Sequence, residues 1–294
     1  MKFTLSWLKE HLDTEASHEN IIDCLSMIGL EVESVIDQGA GLEEFITAHI
    51  LKVEQHPNAE RLKICVVDFG EKTPLRIVCG APNAVRGEKV VFAPCGTYIP
   101  GTNLKLKSTS IRGVESSGML LSEKEMGISA EHDGIVVLNN NAKIGARAID
   151  SMFLNDLIIE IAITPNRGDC LGVYGIARDL AAAGIGVLKP IKLTRTHTDS
   201  FDSPIDVKLQ LSEDARHLCP YFIGRYIRGV KNSESPEWLK RKLLAIGLRP
   251  VSALVDITNY MTIAYNRPLH VFDANKITGD INVRLSHPNE TITA

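Results

Sequence analysis

Apolar and polar residues change rhythm several times along this chain. Phe3 and Leu5 alternate with polar neighbours as in a short strand, and Ser6 can cap a helix running to Leu12. From about Glu19 to Ile28, the residues Ile21, Ile22, Leu25, Met27 and Ile28 fall near helical spacing, and Gly29 suits the position just past a helix end. Glu31 to Ile36 alternates polar and apolar, the period of a half-buried strand. Gly39-Ala40-Gly41 breaks that pattern and marks a boundary.

Between residues 42 and 150 the rhythm shortens. β-type runs at 45–53, 62–67, 75–78, 89–92, 103–106 and 134–138 are separated by His56-Pro57-Asn58, Gly80-Ala81-Pro82-Asn83, Pro94-Cys95-Gly96 and Pro100-Gly101. Short strands at such spacing predict a small barrel or sandwich. A strand at 157–161 then leads through Thr164-Pro165-Asn166-Arg167-Gly168-Asp169 into an Ala-rich helix from Leu171 to Ala183, ended by Gly184.

A β-module between two α/β pieces reads as an insertion. The expected organisation is α+β and multidomain. Residues 1–39 and 151–195 form a discontinuous α/β domain, and residues 40–150 form the inserted barrel. Asp199–Pro204 reads as a linker, and residues 200–294 as the first part of another α/β domain. In that last part Ser235-Pro236-Glu237-Trp238 can start a helix running to Ile246, with Gly247 beyond it. Ile281–Leu285 reads as a strand and Pro288–Thr291 as the turn after it, so the chain is expected to stop inside a domain. Trp7-Leu8-Lys9 echoes Trp238-Leu239-Lys240, but the matches are too short to define a repeat.

With 294 residues, 44 % hydrophobic and 23 % charged, the composition is that of a soluble globular protein of about two domains. The opening MKFTLSWLKEHL lacks the apolar centre of a signal peptide, and no run reaches the roughly 18 apolar residues of a membrane span. The expected location is cytoplasmic, away from membranes. Six cysteines without a C-x-x-C pair predict reduced, mostly buried thiols rather than a zinc site. The net charge of −4 requires any nucleic-acid contact to come from a local patch.

Three regions carry candidate chemistry. In the β-module, Lys105 and Lys107 would share one strand face, with Arg112 nearby, and are the candidate RNA-binding residues. The alternative is a solvated strand face. The module holds 13 lysines and arginines against 13 aspartates and glutamates between residues 40 and 150, which predicts weak, salt-sensitive RNA affinity. In the Thr164–Cys170 turn, Asp169 can cap the following helix, while Arg167 could reach a phosphate or a partner subunit. In the third region an apolar run of Leu254, Val255 and Ile257 meets Thr258-Asn259, followed by Pro268 and His270. Three readings stay open for Thr258, Asn259 and His270: a satisfied polar cluster, a metal site using His270 with Asp256 or Asp273, or a hydrolytic site that positions water without a charged nucleophile.

The blocks SWLKEHL, HPNAERLKICVVD, IVCGAPN, SGMLLSE, TPNRGDCLGVYGIARDLAA and VDITNYMTIAYNRPLHVFD occur in that order. Together they resemble the N-terminal part of the β subunit in the bacterial phenylalanyl-tRNA synthetase family. The resemblance implies an α2β2 assembly that joins phenylalanine to tRNA(Phe) with ATP and Mg²⁺, the aminoacylation site lying in the α subunit. The lack of a G-x-x-x-x-G-K loop in this sequence agrees with that. It further implies that the insert is an OB-fold-type tRNA-binding barrel. It implies that Thr258, Asn259 and His270 hold part of a site that hydrolyses Tyr-tRNA(Phe). The carboxylate for the tyrosine hydroxyl, the Mg²⁺-linked residues and the anticodon-binding module are expected beyond residue 294, leaving no metal site in this stretch and incomplete catalysis by it alone. The reading of another class is a non-catalytic RNA-binding module built around the barrel.

Overall fold

In the computed structural model, residues 1–192 and 201–292 are described. The expected linker at 199–204 lies partly outside them. The chain opens with β1 (Lys2–Thr4), α1 (Leu5–His11), β2 (Leu12–Asp13), α2 (His18–Met27) and β3 (Val32–Asp37). Ser6 does not cap α1; it lies inside the helix, and its N–H donates to Asp156 Oδ1 at 3.0 Å. Four strands follow: β4 (Ile46–Gln55), β5 (Lys63–Asp68), β6 (Leu75–Cys79) and β7 (Lys89–Pro94). Two ribbons come next, β8 (Tyr98–Ile99) with β9 (Leu104–Lys105) and β10 (Thr109–Ile111) with β11 (Val114–Ser116). Then come β12 (Gly118–Leu120), α3 (Glu123–Met126), β13 (Val137–Leu138), α4 (Ala148–Met152) and β14 (Leu157–Ile161). A 3-10 turn at Pro165–Cys170 precedes α5 (Val173–Ala182), β15 (Val187–Leu188), β16 (Val207–Gln210), α6 (Glu237–Ala245), α7 (Ala253–Tyr265) and β17 (Ile281–Arg284). The fold is mixed α and β. By internal contacts it forms two compact units, Met1–Ser6 with Leu25–Ala162 and Trp7–Cys24 with Ile163–Ala294.

The first unit is built on a six-stranded sheet ordered β12-β7-β4-β5-β6, with β13 also on β7. Its pairings are antiparallel. A register shift between Ile50 and Lys52 bulges β4 and helps the sheet coil. The free edge of β6 then meets the chain just before β12. Ser117 N–H donates to Arg76 O at 3.0 Å, and Val78 N–H donates to Ser116 Oγ at 3.1 Å. The sheet becomes a nearly closed barrel in place of an open, aggregation-prone edge.

β7 explains why this closes around a core. Its central four residues are all buried, and alternate side chains serve two different cores. Val90 and Phe92 join Ile50, Val67 and Ile77 in one cluster, while Val91 and Ala93 join Phe45, Leu121 and Ile149 in the other. Strand alternation thus turns one short run into the shared wall of two layers. Gly118 belongs to the same arrangement: at φ +148° it lies so close to the Phe92 ring that a Cβ would sit 2.3 Å from Phe92 Cε2. The two ends of this module are hydrogen-bonded to each other. Thr47 N–H donates to Ala146 O at 2.8 Å, Gly145 N–H to Thr47 O at 2.9 Å and Ala148 N–H to Phe45 O at 2.7 Å. Outside the module, β14 is the centre of a three-stranded antiparallel sheet flanked by β1 and β3.

The second unit gathers aromatic rings from four helices. Trp7 stacks on Tyr260 with centroids 5.5 Å apart, and Trp238 meets the same Tyr260 ring edge-on at 5.5 Å. Lys242 Nζ lies 4.8 Å from the Trp7 centroid and pairs with Glu10 at 2.5 Å. His11 is buried and edge-on to Tyr174 and Tyr265, at 5.7 and 5.3 Å. Its Nε2 has no hydrogen-bond partner among the described residues. Burial pushes the His11 pKa below the ordinary imidazole range, Glu10 pulls it up, and Lys242 and Lys189 push it down. Elsewhere in this unit β2 pairs with β15 and β16 runs parallel to β17.

All six cysteines are free; Cys65, Cys79 and Cys170 are buried, Cys95 is exposed, and Cys24 and Cys219 are intermediate. Burial of the thiols thus holds for half of them. Among the described residues no helix is long and apolar enough to cross a membrane.

These cores set two stabilities that can be measured. Phe92→Ala should cost about 3–5 kcal/mol in urea unfolding, because it empties the barrel side of β7. For His11, a folded pKa below the unfolded value means that stability is intact above the ordinary imidazole pKa. It is lost as pH falls below that value, by at most about 1.4 kcal/mol per pH unit. His11→Gln should flatten that part of the stability–pH curve between about pH 7 and 5.5; a curve identical to wild type would exclude His11 as its source.

Candidate functional site

The barrel carries an open groove of about 870 Å³, lined by Gln55–Leu62 and Arg112. The sequence shapes it in two steps. Gln55 Nε2 donates to the carbonyls of Ala59, Glu60 and Leu62 at 3.0, 2.9 and 3.1 Å, which folds the β4–β5 loop onto itself. His56 is buried, and its Nδ1 accepts from Asn58 N–H at 3.0 Å. That bond leaves the proton on Nε2, which donates to Ile111 O at 3.0 Å. The β10–β11 ribbon turns through Arg112 and Gly113, with φ of +48° and +88°, the two-residue pattern whose twist suits a hairpin. Asn58 Nδ2 donates to Arg112 O at 3.0 Å, and Arg112 Nη1 to Asn58 O at 3.5 Å. Loop and ribbon tip are therefore tied together through Asn58 and His56.

Lys105 ends β9, and Lys107 follows two residues on. Both are exposed, and Leu106 between them packs on the outer core; Lys107 lies outside the strand, so the expected single strand face does not extend to it. Among the described residues neither lysine makes an ion pair or hydrogen bond. Arg112, on the other ribbon, is bonded to the β4–β5 loop instead. A smaller concavity of about 460 Å³ joins Val78–Pro82 to Met119, Leu120, Ser122 and Glu125, so the IVCGAPN and SGMLLSE blocks meet there. Ser122 caps α3 in a reciprocal box with Glu125.

Thr258 and Asn259 lie on α7, an element that the apolar run alone did not indicate. As successive helical residues they point about 100° apart. Thr258 Oγ1 donates back to Val255 O at 2.6 Å. The helix is anchored from its buried face: Asp256 accepts from the Ser235 hydroxyl and, at 2.9 Å, from Val251 N–H. Its C-terminal end is fixed by Asn266 in the left-handed conformation at φ +53°, with Nδ2 donating to Gly168 O at 2.6 Å. The backbone comes so close there that a Cβ on Gly172 would lie 2.5 Å from Asn266 N. His270 is exposed beyond this end, its ring 4.4 Å from that of Phe272. Among the described residues no hydrogen bond joins His270 to Thr258 or Asn259. The metal reading for His270 finds no support: Asp256 is buried against Ser235, and among the described residues His270 and Asp273 belong to no group of three potential ligands.

The Thr164–Cys170 turn behaves differently from the expectation. Asp169 does not cap α5, whose N-cap is Gly172 without a side-chain bond. Asp169 instead accepts from Arg167 Nε and Nη2 at 3.1 and 3.2 Å and pairs with Arg178. Asp179 pairs with Arg167 and, at 3.0 Å, with Arg178. Arg167 holds the Asp169 carboxyl well below the usual range. Burial raises the Asp179 pKa, but the bonds from both arginines outweigh it and hold it low. Burial, with Asp179 beside it, pushes the Cys170 thiol up to about 12. Asp169, Cys170 and Asp179 have potential ligand atoms within 4.8 Å of one another. Two guanidiniums already neutralise those carboxylates, and a protonated thiol is no ligand for a hard cation, so the trio does not suit Mg²⁺.

Two family profiles match this chain. Residues 45–147 match “Putative tRNA binding domain” and residues 218–294 match “B3/4 domain”. The chain thus combines a stretch similar to a putative tRNA binding domain with a later stretch similar to a B3/4 domain. Phenylalanine–tRNA ligase beta subunit of Paramagnetospirillum magneticum is 53 % identical over 292 residues, covering 99 % of this chain and 36 % of that relative. The same subunit of Ruegeria pomeroyi is 53 % identical over 299 residues, covering 100 % and 37 %. The resemblance carried by the sequence blocks therefore holds along the whole chain: it is similar throughout to phenylalanine–tRNA ligase beta subunits and spans a little over a third of their length. The crystal structure of a MetRS related protein from Pyrococcus horikoshii is 25 % identical over 35 % of this chain and 86 % of that one, with a TM-score of 0.26, too low to support a structural argument.

Removing the anchor of α7 has a defined cost. Asp256→Ala leaves a buried hydroxyl and a backbone N–H without their acceptor and should destabilise by about 1–3 kcal/mol in urea unfolding. Thr258→Ala, which loses only a bond within the helix, should cost less than about 1 kcal/mol. Equal losses would mean that Asp256 is not the anchor.

Proposed function

We propose that this chain is part of the β subunit of an α2β2 phenylalanine–tRNA ligase, with the α subunit and tRNA(Phe) as its partners in the cytoplasm. The observation that carries the reading is identity of about half the residues across the full chain, with a tRNA-binding domain and a B3/4 domain in order. In this reading ATP and Mg²⁺ serve aminoacylation in the α subunit. Asp169, Cys170 and Asp179 do not suit a metal, and no step of the chemistry proposed for this chain runs through one.

The strand order β12-β7-β4-β5-β6, with β6 returning to the start of β12, supports an OB-fold for the barrel. The proposed domains are residues 1–39 with 151–195, the OB-fold at 40–150, and the first part of an editing domain at 200–294. Lys105, Lys107 and Arg112 are proposed to meet tRNA phosphates.

Thr258, Asn259 and His270 are proposed as part of the editing site. Tyrosine differs from phenylalanine by one hydroxyl, which a Phe pocket rejects imperfectly, so a second, hydrolytic site has a physical purpose. On α7, the Asn259 amide can donate to the acyl carbonyl and accept from the terminal ribose. Thr258 already spends its proton on Val255 O and so offers only acceptor capacity. His270, exposed and on a loop, can orient the attacking water or take its proton. The test is hydrolysis of Tyr-tRNA(Phe) and Phe-tRNA(Phe) by the complete α/β enzyme. Asn259→Ala with His270→Ala in the β chain should slow Tyr-tRNA(Phe) hydrolysis by on the order of 10²–10⁴ and leave phenylalanine charging intact. Unchanged hydrolysis would return these residues to structural roles and leave RNA binding by the barrel as the supported activity.

A further inference from the structure

We infer that Asn266 is a positioning residue for hydrolysis at the C-terminal end of α7, held by the Arg167–Asp179 cluster through the Gly168 carbonyl and setting where His270 stands. The inference rests on the editing reading above and adds to it residues that touch no substrate.

Each link of the path is a contact. Arg167 leaves helical geometry inside the 3-10 turn, at φ −109° and ψ 39°. Its guanidinium bridges that kink, donating to both Asp169 oxygens at 3.1 and 3.2 Å, to Cys170 Sγ at 2.9 Å and to Asp179. Arg178 closes the ring by bonding the same two carboxylates. Two guanidiniums against two carboxylates leave the cluster without net charge, and charged bidentate pairs fix geometry more firmly than neutral bonds do. Inside the kinked turn the Gly168 carbonyl accepts from Leu171 N–H at 3.2 Å and from Asn266 Nδ2 at 2.6 Å. Both of its acceptor positions are thereby occupied.

Asn266 passes this fixity on. It ends α7 in the left-handed conformation, at φ +53° and ψ 43°, with its own N–H on Met261 O. Arg267 N–H reaches the same carbonyl at 3.4 Å. Pro268 then fixes its own φ and keeps Arg267 extended. Only four residues separate Asn266 from His270, a reach of at most about 14 Å. Among the described residues the exposed His270 makes no hydrogen bond of its own, so this tether decides its place. Gly172 leaves room for the anchor. A Cβ there would lie 2.5 Å from Asn266 N and 2.9 Å from Asn266 Cβ, while its φ of −147° suits any residue. Bulk at the contact, not backbone strain, is what this glycine avoids. Asn259 stands on the part of α7 that Asp256 holds, so loss of the Asn266 bond should reach the step His270 serves and leave binding through Asn259 alone.

The test is steady-state hydrolysis of Tyr-tRNA(Phe) by the complete α/β enzyme with β-chain variants. Asn266→Gly keeps the left-handed backbone without steric cost and deletes only the amide. It should lower kcat about 10- to 100-fold with KM within about 2-fold and phenylalanine charging unchanged. Arg167→Lys keeps the charge but not the bidentate geometry and should give a smaller loss of kcat. Gly172→Ala displaces Asn266 without removing a bond and should act as Asn266→Gly does; thermal melts accompany all three. In a His270→Ala background Asn266→Gly should cost nothing further, because no imidazole remains to be placed. Additive losses in that background, or a raised KM with kcat intact, overturn the route through His270. A lowered Tm with wild-type kcat makes Asn266 a structural residue only and overturns the inference. Wild-type hydrolysis by Asn266→Gly beside slow hydrolysis by Asn259→Ala/His270→Ala overturns the inference and leaves the editing reading standing. Wild-type hydrolysis by Asn259→Ala/His270→Ala overturns both.

Discussion

Two-sided burial of a six-residue strand is the constraint on which the first unit depends. Lys89–Pro94 sends Val90 and Phe92 into the barrel and Val91 and Ala93 into the layer outside it. No polar side chain can occupy its middle without losing one core or the other. Around this strand the rest follows. The bulge in β4 bends the neighbouring strand, Gly118 lets β12 approach the Phe92 ring, and the loops that form the groove are carried at strand ends that cannot drift. A rigid scaffold under polar loops is the usual division of labour in binding proteins.

The second unit solves a different problem: keeping in register a mostly apolar helix that carries a buried carboxylate. α7 has its fully buried carboxylate, Asp256, facing inward and its aromatic Tyr260 stacked on Trp7. A buried carboxyl group is tolerated there because two donors converge on it. The far end is held by Asn266 against the Gly168 carbonyl. That contact in turn depends on the stiffness of a turn whose arginines and aspartates bond mostly to one another. Thr258 and Asn259 sit between these two fixed points, while His270 hangs beyond them. The proposed site therefore combines a firmly held half with a loosely held one.

How much of this was legible in the sequence differed by element. The barrel strands were readable because short apolar runs alternate with Gly and Pro turns, and α5 and α6 because Gly184, Pro236 and Gly247 mark their ends. α7 was not. Its residues Val255, Ile257, Thr258, Thr262 and Ile263 are β-branched, and its inward face carries an aspartate, so both propensity and pattern argue against a buried helix. Asp169 looked like a cap because it precedes a helix; Arg167 and Arg178 offer its carboxylate stronger, charged donors, and these win. Lys105 and Lys107 read as one strand face, but the strand stops at Lys105, and alternation says nothing of Lys107.

The hydrogen bonds between the two ends of the barrel module have a consequence for how such chains come to be assembled. Phe45 and Ala148 are bonded neighbours, and the residues matching the tRNA-binding profile run from 45 to 147. The module leaves the chain almost where it enters, within the spacing of one strand pair, about 5 Å. Its host sequence on either side is thus nearly continuous in space although interrupted by roughly a hundred residues. A unit with that geometry can be gained, lost or moved between unrelated hosts by recombination at two adjacent points, without requiring either partner to refold around the junction.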